Sequence, residues 1–144
     1  MVSRAPRVAS YDPGLEAVIV SRCELWYAEG ESLAEDRLGY VRAGSALAWC
    51  GDELAIVQDD ASFIALRSAD GGVRAVALPR GAGGRRRFED GLGNKADKLD
   101  LEACVVVAGP AGPRVLAFGS GSTPDDATRP SELCRVELRG PEWR

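Results

Sequence analysis

The stretch SALAWCGDELAIVQDDASFIALRSADGGVRAVAL, residues 45–78, decides the fold of this chain. It contains short apolar runs separated by residues typical of turns, at 45–49, 54–58, 62–66 and 73–78. Apolar runs of this length between Gly, Asp and Ser are typical of strands. Asp70-Gly71-Gly72 separates the last two runs and favours a hairpin turn, because glycine accepts a positive φ without a Cβ clash. The stretch therefore predicts four consecutive antiparallel strands.

A second series of apolar runs follows at 101–107, 114–119 and 132–138. It can be laid over the first series as a weak repeat with insertions, at a spacing close to the ~40–50-residue period of propeller blades. Four consecutive antiparallel strands form one blade of a β-propeller. We therefore expect an all-β fold made of antiparallel four-stranded blades of an incomplete β-propeller. Its expected parts are leading strands over 15–40, a blade over 45–78, a linker over 79–99 and an incomplete blade over 100–138.

Two blades cannot close a ring, because propellers have typically ~4–8 blades. We therefore expect this chain to be the amino-terminal part of a longer propeller, or to cover its exposed sheet edge by self-association. An independent antiparallel sandwich is the alternative to a propeller.

The composition is that of an ordinary globular protein, and it excludes several classes of partner. The 144 residues are 45% hydrophobic and 28% charged, which suits a single domain over residues 1–144. The net charge of −4, with one basic run at 85–87, argues against nucleic-acid binding. No apolar run approaches the ~20 residues that span a bilayer, so no membrane partner is expected. Four widely spaced cysteines and the lack of a signal-peptide pattern predict a cytoplasmic protein with reduced thiols.

The chain contains no histidine. This absence excludes Ser-His-Asp and Cys-His catalysis, imidazole acid–base chemistry and most zinc sites. Any catalysis would have to use carboxylates, lysines, hydroxyl groups or a hard metal ion.

The segment GNKADKLDLEA, residues 93–103, concentrates opposite charges at the start of an apolar run. Carboxylate and amide oxygens are the ligands that Ca²⁺ and Mg²⁺ prefer, although the spacing is not that of an EF-hand. The candidate metal ligands are Asp59, Asn94, Asp97, Asp100 and Glu102, with Ca²⁺ or Mg²⁺ as the expected ion. The alternative is an ion-pair network, in which the lysines pair with these carboxylates and fix the geometry of the blades.

Asp59 and Asp60 directly follow the second apolar run, where a buried strand reaches the rim of the sheet. Adjacent side chains on a strand point to opposite faces, so only one of these carboxylates can face a central ligand. We expect the other to hydrogen-bond loop amides, as aspartate commonly does in turns.

Other polar side chains could hold a small anionic ligand. Residues 119–123 combine hydroxyl groups with backbone amides at the end of a predicted strand, and residues 85–87 supply arginines. The candidate substrate-binding residues are Lys95, Lys98, Arg85, Ser120 and Ser122. The alternatives are a flexible loop at 119–123 and an ordinary exposed linker at 81–88.

Four segments carry a resemblance to known propellers: residues 45–49, 54–61, 93–103 and 116–122. Together they resemble an uncharacterised bacterial β-propeller family, a domain of unknown function. They are more distantly similar to the phytase-like, or esterase-like, propellers. In that comparison Asp59-Asp60 matches an Asp-containing strand end. Asp100-Leu101-Glu102-Ala103 matches an Asp-x-Glu-Gly segment in which alanine replaces the glycine.

The resemblance implies a propeller fold and longer relatives, so that a carboxyl-terminal half would be missing here. Two functions follow as expectations. The first is a binding or scaffold domain, favoured because half a ring leaves a central site open to water. The alternative is a metal-assisted hydrolase of phosphate or carboxylic esters, in which carboxylates hold the ion that lowers the pKa of a bound water.

Overall fold

A computed structural model describes residues 12–110 and 112–121, together with the backbone of residues 135–138. Its first sheet contains four antiparallel strands in the order β1-β2-β3-β4. These strands are β1 (Gly44–Cys50), β2 (Glu53–Gln58), β3 (Phe63–Arg67) and β4 (Val73–Ala77). The four strands expected over 45–78 are thus confirmed. The predicted hairpin is confirmed as well, since Ser68 N donates to Gly72 O at 2.9 Å and Gly71 has a φ of +94°.

A second antiparallel sheet follows, in the order β5-β6-β7. Its strands are β5 (Leu101–Val107), β6 (Arg114–Gly119) and β7 (Arg135–Leu138). Among the described residues the helical segments are single 3₁₀ turns at Ala82–Gly84, Asp90–Leu92 and Lys95–Asp97. The all-β fold class is therefore confirmed. No helix in the described ranges is long and apolar enough to cross a membrane.

The two sheets pack against each other and share one hydrophobic core. β5 lies against β1 and β2. The buried residues of this inter-sheet core are Cys50, Ala55, Val57, Ile64, Leu66, Leu78, Leu101, Val115 and Ala117. A hydrogen bond adds to the contact, because Ser45 Oγ donates to Leu101 O at 2.6 Å. Burial of apolar side chains from both sheets therefore positions the start of β5 beside the first sheet.

The leading strands expected over 15–40 are not regular strands. Within residues 12–43 the structure forms two isolated antiparallel bridges, Trp26 with Tyr40 and Ser32 with Arg37. Residues 15–20 are exposed and form no strand pair with another described segment. A β-prone sequence becomes a strand only where a neighbouring strand accepts its backbone hydrogen bonds, and no described neighbour does so here.

Residues 25–41 instead cover the outer face of the first sheet. Tyr27 is buried there against Ile56, Ala65 and Val73, which come from three successive strands. Ala28 N donates to Val73 O at 2.8 Å, which attaches this segment beside β4. The first sheet is therefore covered on one face by the second sheet, and residues 25–41 cover part of the other face, over β2, β3 and β4.

The linker over 79–99 is not an ordinary exposed connection. Phe88 is fully buried, and its backbone N donates to Asp60 O at 3.1 Å. A bridge between Ala61 and Arg87 fixes the same segment to the loop after β2. The linker is thereby held against the first sheet and delivers residues 94–100 to the junction of the two sheets.

Candidate functional site

The junction of the sheets is occupied by a group of charged side chains, here called the Lys98 cluster. It consists of Lys98, Asp59, Asp60, Asp100 and Glu102. Lys98 Nζ lies 2.7 Å from both carboxylate oxygens of Asp59 and 2.9 Å from Asp100 Oδ1. An oxygen of a third carboxylate, Asp60 Oδ1, lies 3.8 Å away. One ammonium group thus pairs with carboxylates that follow β2 and with one that precedes β5.

The backbone holds Asp100 in an unusual conformation at this point. Its φ is +54°, in the left-handed region that aspartate enters more readily than most residues. Ser120, directly after β6, donates its backbone N–H to Asp100 O at 2.8 Å, and its hydroxyl bonds the Asp100 carboxylate. Two strands of the second sheet therefore fix the direction in which this carboxylate points.

The electrostatics of the cluster favour a charged lysine. Burial would lower the pKa of Lys98, but the hydrogen bonds and charges of Asp59 and Asp100 outweigh it and raise that pKa. For Glu102, burial and the negative charges of Asp59 and Asp100 raise the pKa, and the Lys98 ammonium only partly offsets them. Lys98 is therefore the centre of positive charge in the cluster. Glu102 lies at the edge of the cluster, where the neighbouring carboxylates repel its charged form.

Three of the five predicted metal ligands converge here. Asp59, Asp100 and Glu102 each offer a carboxylate oxygen, and these oxygens lie within 4.8 Å of one another. Their oxygens are the right chemistry for Ca²⁺ or Mg²⁺. However, Lys98 Nζ already lies within hydrogen-bonding distance of two of the three carboxylates. A divalent ion could fit this group only if the ammonium moved away.

The other two predicted ligands lie outside that group. Asn94 uses both ends of its amide to close the preceding loop: Oδ1 accepts from Glu89 N at 2.9 Å, and Nδ2 donates to Arg87 O at 2.8 Å. Asp97 is exposed on the following 3₁₀ turn. Asn94 therefore shapes the approach to the cluster instead of completing a coordination shell.

The predicted substrate-binding residues are dispersed as well. Lys95 Nζ lies 3.3 Å from the exposed Asp90 and 4.0 Å from Asp60, at the margin of the cluster. Ser120 bonds Asp100, as described above, and Ser122 lies outside the described residues. Arg85 pairs with Asp36 at 3.0 Å and so belongs to a different set of contacts.

That second set of contacts was not foreseen from the sequence. Asp36 Oδ2 accepts backbone hydrogen bonds from Arg86 N at 2.9 Å and Arg87 N at 3.1 Å. Glu35 pairs with the Arg86 side chain. The acidic pair at 35–36 and the basic run at 85–87 were the available signal, but nothing in their spacing showed that they would meet.

A shallow depression beside these contacts is lined by arginines and tyrosines, including Arg37, Arg42 and Arg87. Each of these guanidinium groups already has a protein partner. Arg37 lies 3.7 Å from Glu29, and Arg42 lies 3.7 Å from Asp60. Arg42 and Arg87 also both pair with Glu89. Because their charge is largely neutralised, the depression offers an anion little net attraction.

Comparison with known proteins gives one match. The model of a family described as "Family of unknown function (DUF6929)" matches residues 40–136. The match begins shortly before β1 and ends within β7, so it spans both sheets and the Lys98 cluster. Neither the curated proteins nor the solved structures contain a match to the chain.

Proposed function

This chain belongs to the DUF6929 family, whose function is unknown, and we propose that it is a non-catalytic binding or scaffold domain of the β-propeller type. In this proposal the two sheets are successive blades, and residues 1–144 are a single partial propeller domain. Support comes from the consecutive antiparallel strand order in each sheet and from the contact between their first strands, β1 and β5.

One observation carries the non-catalytic proposal, and it is the position of the Lys98 ammonium. Lys98 Nζ lies between Asp59 of the first sheet and Asp100 of the second. The Lys98 side chain is only 19% exposed, so its ion pairs are less screened by water than pairs on an open surface. The cluster thus joins the two proposed blades through ion pairs, and the cation at its centre is the Lys98 ammonium of the protein itself. We call this arrangement the clamp.

The second candidate is a metal-assisted hydrolase of phosphate or carboxylic esters. The observation that favours it is the convergence of three carboxylate oxygens within 4.8 Å. Asp59, Asp100 and Glu102 would hold Ca²⁺ or Mg²⁺, and the ion would lower the pKa of a bound water. Lys98 would then have to leave the carboxylates and orient an anionic substrate.

A double-mutant cycle on Lys98→Met and Asp59→Asn tests the clamp. We expect a coupling energy of roughly 1–3 kcal/mol, because Lys98→Met leaves the partly buried Asp59 without this cation. Asp59→Asn removes the bidentate partner of Lys98 and leaves it paired with Asp100 at 2.9 Å. Urea unfolding of the four proteins measures it. Lys95→Met is the matched control, since the Lys95 side chain is 41% exposed and should contribute little. A coupling energy near zero would overturn the clamp.

Thermal unfolding in millimolar Ca²⁺, in millimolar Mg²⁺ and in the presence of a chelator separates the two candidate functions. If the cluster is a clamp, the melting temperature should be the same under these three conditions. Asp100→Asn is the informative variant, because asparagine tolerates the left-handed conformation but removes one charge. A melting temperature that rises with the ion in the natural chain but not in Asp100→Asn would support the metal site. Ion-dependent turnover of a phosphomonoester or a carboxylic ester, lost in the same variant, would establish the hydrolase.

A further inference from the structure

Two Asp-Gly dipeptides occur in this chain, Asp70-Gly71 in the hairpin between β3 and β4 and Asp90-Gly91 in the linker. An aspartate followed by glycine is prone to a spontaneous rearrangement, because the missing Cβ lets the glycine nitrogen approach the aspartate side chain. The reaction requires that this nitrogen and the carboxyl group are free to meet. The surroundings of the two dipeptides therefore decide which of them reacts.

The hairpin engages both reacting groups of Asp70-Gly71 in hydrogen bonds. The Gly71 nitrogen donates to Ser68 O at 3.0 Å. Asp70 Oδ1 accepts from Gly72 N at 3.1 Å and from the Ser68 hydroxyl. These hydrogen bonds, above all the one from Ser68, also lower the pKa of the Asp70 carboxyl, so its protonated form, which loses water more readily, is scarce. The hairpin therefore protects Asp70 from rearrangement.

The linker leaves the reacting groups of Asp90-Gly91 much freer. The Asp90 side chain is 87% exposed and pairs with the Lys95 ammonium at 3.3 Å. Within the described part of the chain, no group accepts a hydrogen bond from the Gly91 nitrogen. An added Cβ at Gly91 would meet nothing within 4 Å, so the space around this nitrogen is open.

The turn that contains Asp90 can open without disturbing the core. It is a single 3₁₀ turn, Asp90–Leu92, and none of its residues is buried. Two backbone hydrogen bonds close it, from Leu92 N to Glu89 O at 3.1 Å and from Gly93 N to Asp90 O at 3.0 Å. Segments with exposed backbone hydrogen bonds and few buried contacts open at low free energy. Each opening frees the backbone of Asp90 to bring its Cγ to the Gly91 nitrogen.

We propose that Asp90 is a site of spontaneous conversion to isoaspartate, and that Asp70 is protected. The Gly91 nitrogen attacks Asp90 Cγ, and a C–N bond replaces a C–O bond while the carboxyl hydroxyl and the amide hydrogen leave together as water. Water then opens the resulting succinimide ring at the main-chain carbonyl, which leaves the chain linked through the former side chain. This inference goes beyond the proposed function and does not depend on it, because Asp90 is not a member of the Lys98 cluster.

Peptide mapping of the folded chain, after incubation at neutral pH for several weeks, tests the proposal. Trypsin places the two sites in separate peptides, 68–74 and 88–95. Isoaspartate changes the chromatographic retention of a peptide but not its mass, and a protein carboxyl methyltransferase specific for isoaspartate labels it. The chain unfolded in urea is the reference, since both dipeptides are free there. Relative to that reference, we expect folding to slow the conversion in 68–74 several-fold more than in 88–95.

Two variants check the structural reasons for this difference. Gly91→Ala places a Cβ beside the reacting nitrogen without a clash and should slow the conversion of Asp90 several-fold. Ser68→Ala removes the hydroxyl partner of Asp70 and should speed the conversion in 68–74 while leaving 88–95 unchanged. Equal protection of the two peptides, or stronger protection of 88–95, would overturn the proposal. So would an isoaspartate signal in 88–95 that Gly91→Ala leaves unchanged.

Discussion

Asp36 shows how one carboxylate can join two distant segments. It adopts a φ of +54° and accepts hydrogen bonds from two consecutive amides some 50 residues further along the chain. Burial alone would raise the pKa of Asp36. The amide hydrogen bonds from Arg86 and Arg87, together with the charges of Arg85 and Arg87, lower it below its ordinary value. The charged form of Asp36 therefore stabilises the folded chain.

The pH dependence of that contribution has a definite sign. Because the pKa is lower in the folded state, the folded chain binds fewer protons, so the stabilisation is complete above the unfolded value near 3.8 and is lost as pH falls through the folded pKa. We expect Asp36→Asn to lower the free energy of unfolding at pH 7 by about 1 kcal/mol. Urea unfolding should show this deficit shrinking as pH falls below 3.8. Asp52→Asn, at an exposed position, is the control, and a pH-independent deficit in Asp36→Asn would contradict the assignment.

At the scale of elements, the linker does more than connect two sheets. It contributes the buried ring of Phe88 to the first sheet, and Asn94 closes the loop between Arg87 and Glu89. Its two ends approach each other closely at Gly81, where an added Cβ would lie 2.9 Å from both Asp97 O and Phe88 Cζ. The linker is therefore a packed element, and its shape determines where the backbone of Lys98 lies.

Gly81→Ala tests this packing. The φ of Gly81 is −74°, which alanine adopts without strain, so the expected loss is steric. We expect the free energy of unfolding to fall by roughly 1–3 kcal/mol, as in other overpacked sites. Gly91→Ala is the matched control on the same linker, because an added Cβ there meets nothing within 4 Å. Equal melting temperatures for the two variants would show that the linker is loosely packed.

At the scale of the whole molecule, the two sheets share one hydrophobic core. Leu101 of the second sheet is 1% exposed and lies in a core shared with Val57 and Ile64 of the first. The Lys98 cluster and the bond from Ser45 to Leu101 lie at the same junction. Apolar burial and polar contacts therefore couple the sheets at the start of β5.

Leu101→Ala should consequently destabilise both sheets together. We expect a loss of about 2–5 kcal/mol in the free energy of unfolding, because the change leaves a cavity between the sheets. Hydrogen exchange should show reduced protection in β3 as well as in β6. Leu33→Ala is the control, since Leu33 is 88% exposed. Reduced protection confined to the second sheet would mean that the sheets unfold independently.

The strands could be predicted from the sequence because their signals are local. The apolar runs at 45–78 and the turn at Asp70–Gly72 depend only on neighbours along the chain, and they predicted the first sheet to within a residue or so. The same reasoning failed for residues 15–40, since apolar periodicity does not reveal whether a partner strand is present. The grouping of Asp59 with residues of the segment 93–103 as candidate metal ligands was a hypothesis, and the structure brings Asp59, Asp100 and Glu102 together.

The sequence by itself determined the all-β class, the positions of the strands in the two sheets and several of the charged residues near the junction. Only the tertiary structure decided how those charges are used. It placed the Lys98 ammonium between Asp59 and Asp100, and it directed Arg85 to Asp36 and Asn94 to backbone atoms. Strand signals act over a few residues, whereas the contacts of Lys98 with Asp59 and of residues 85–87 with Asp36 join groups about 40–50 residues apart. They form only because the packing of the sheets, residues 25–41 and the linker brings those groups together.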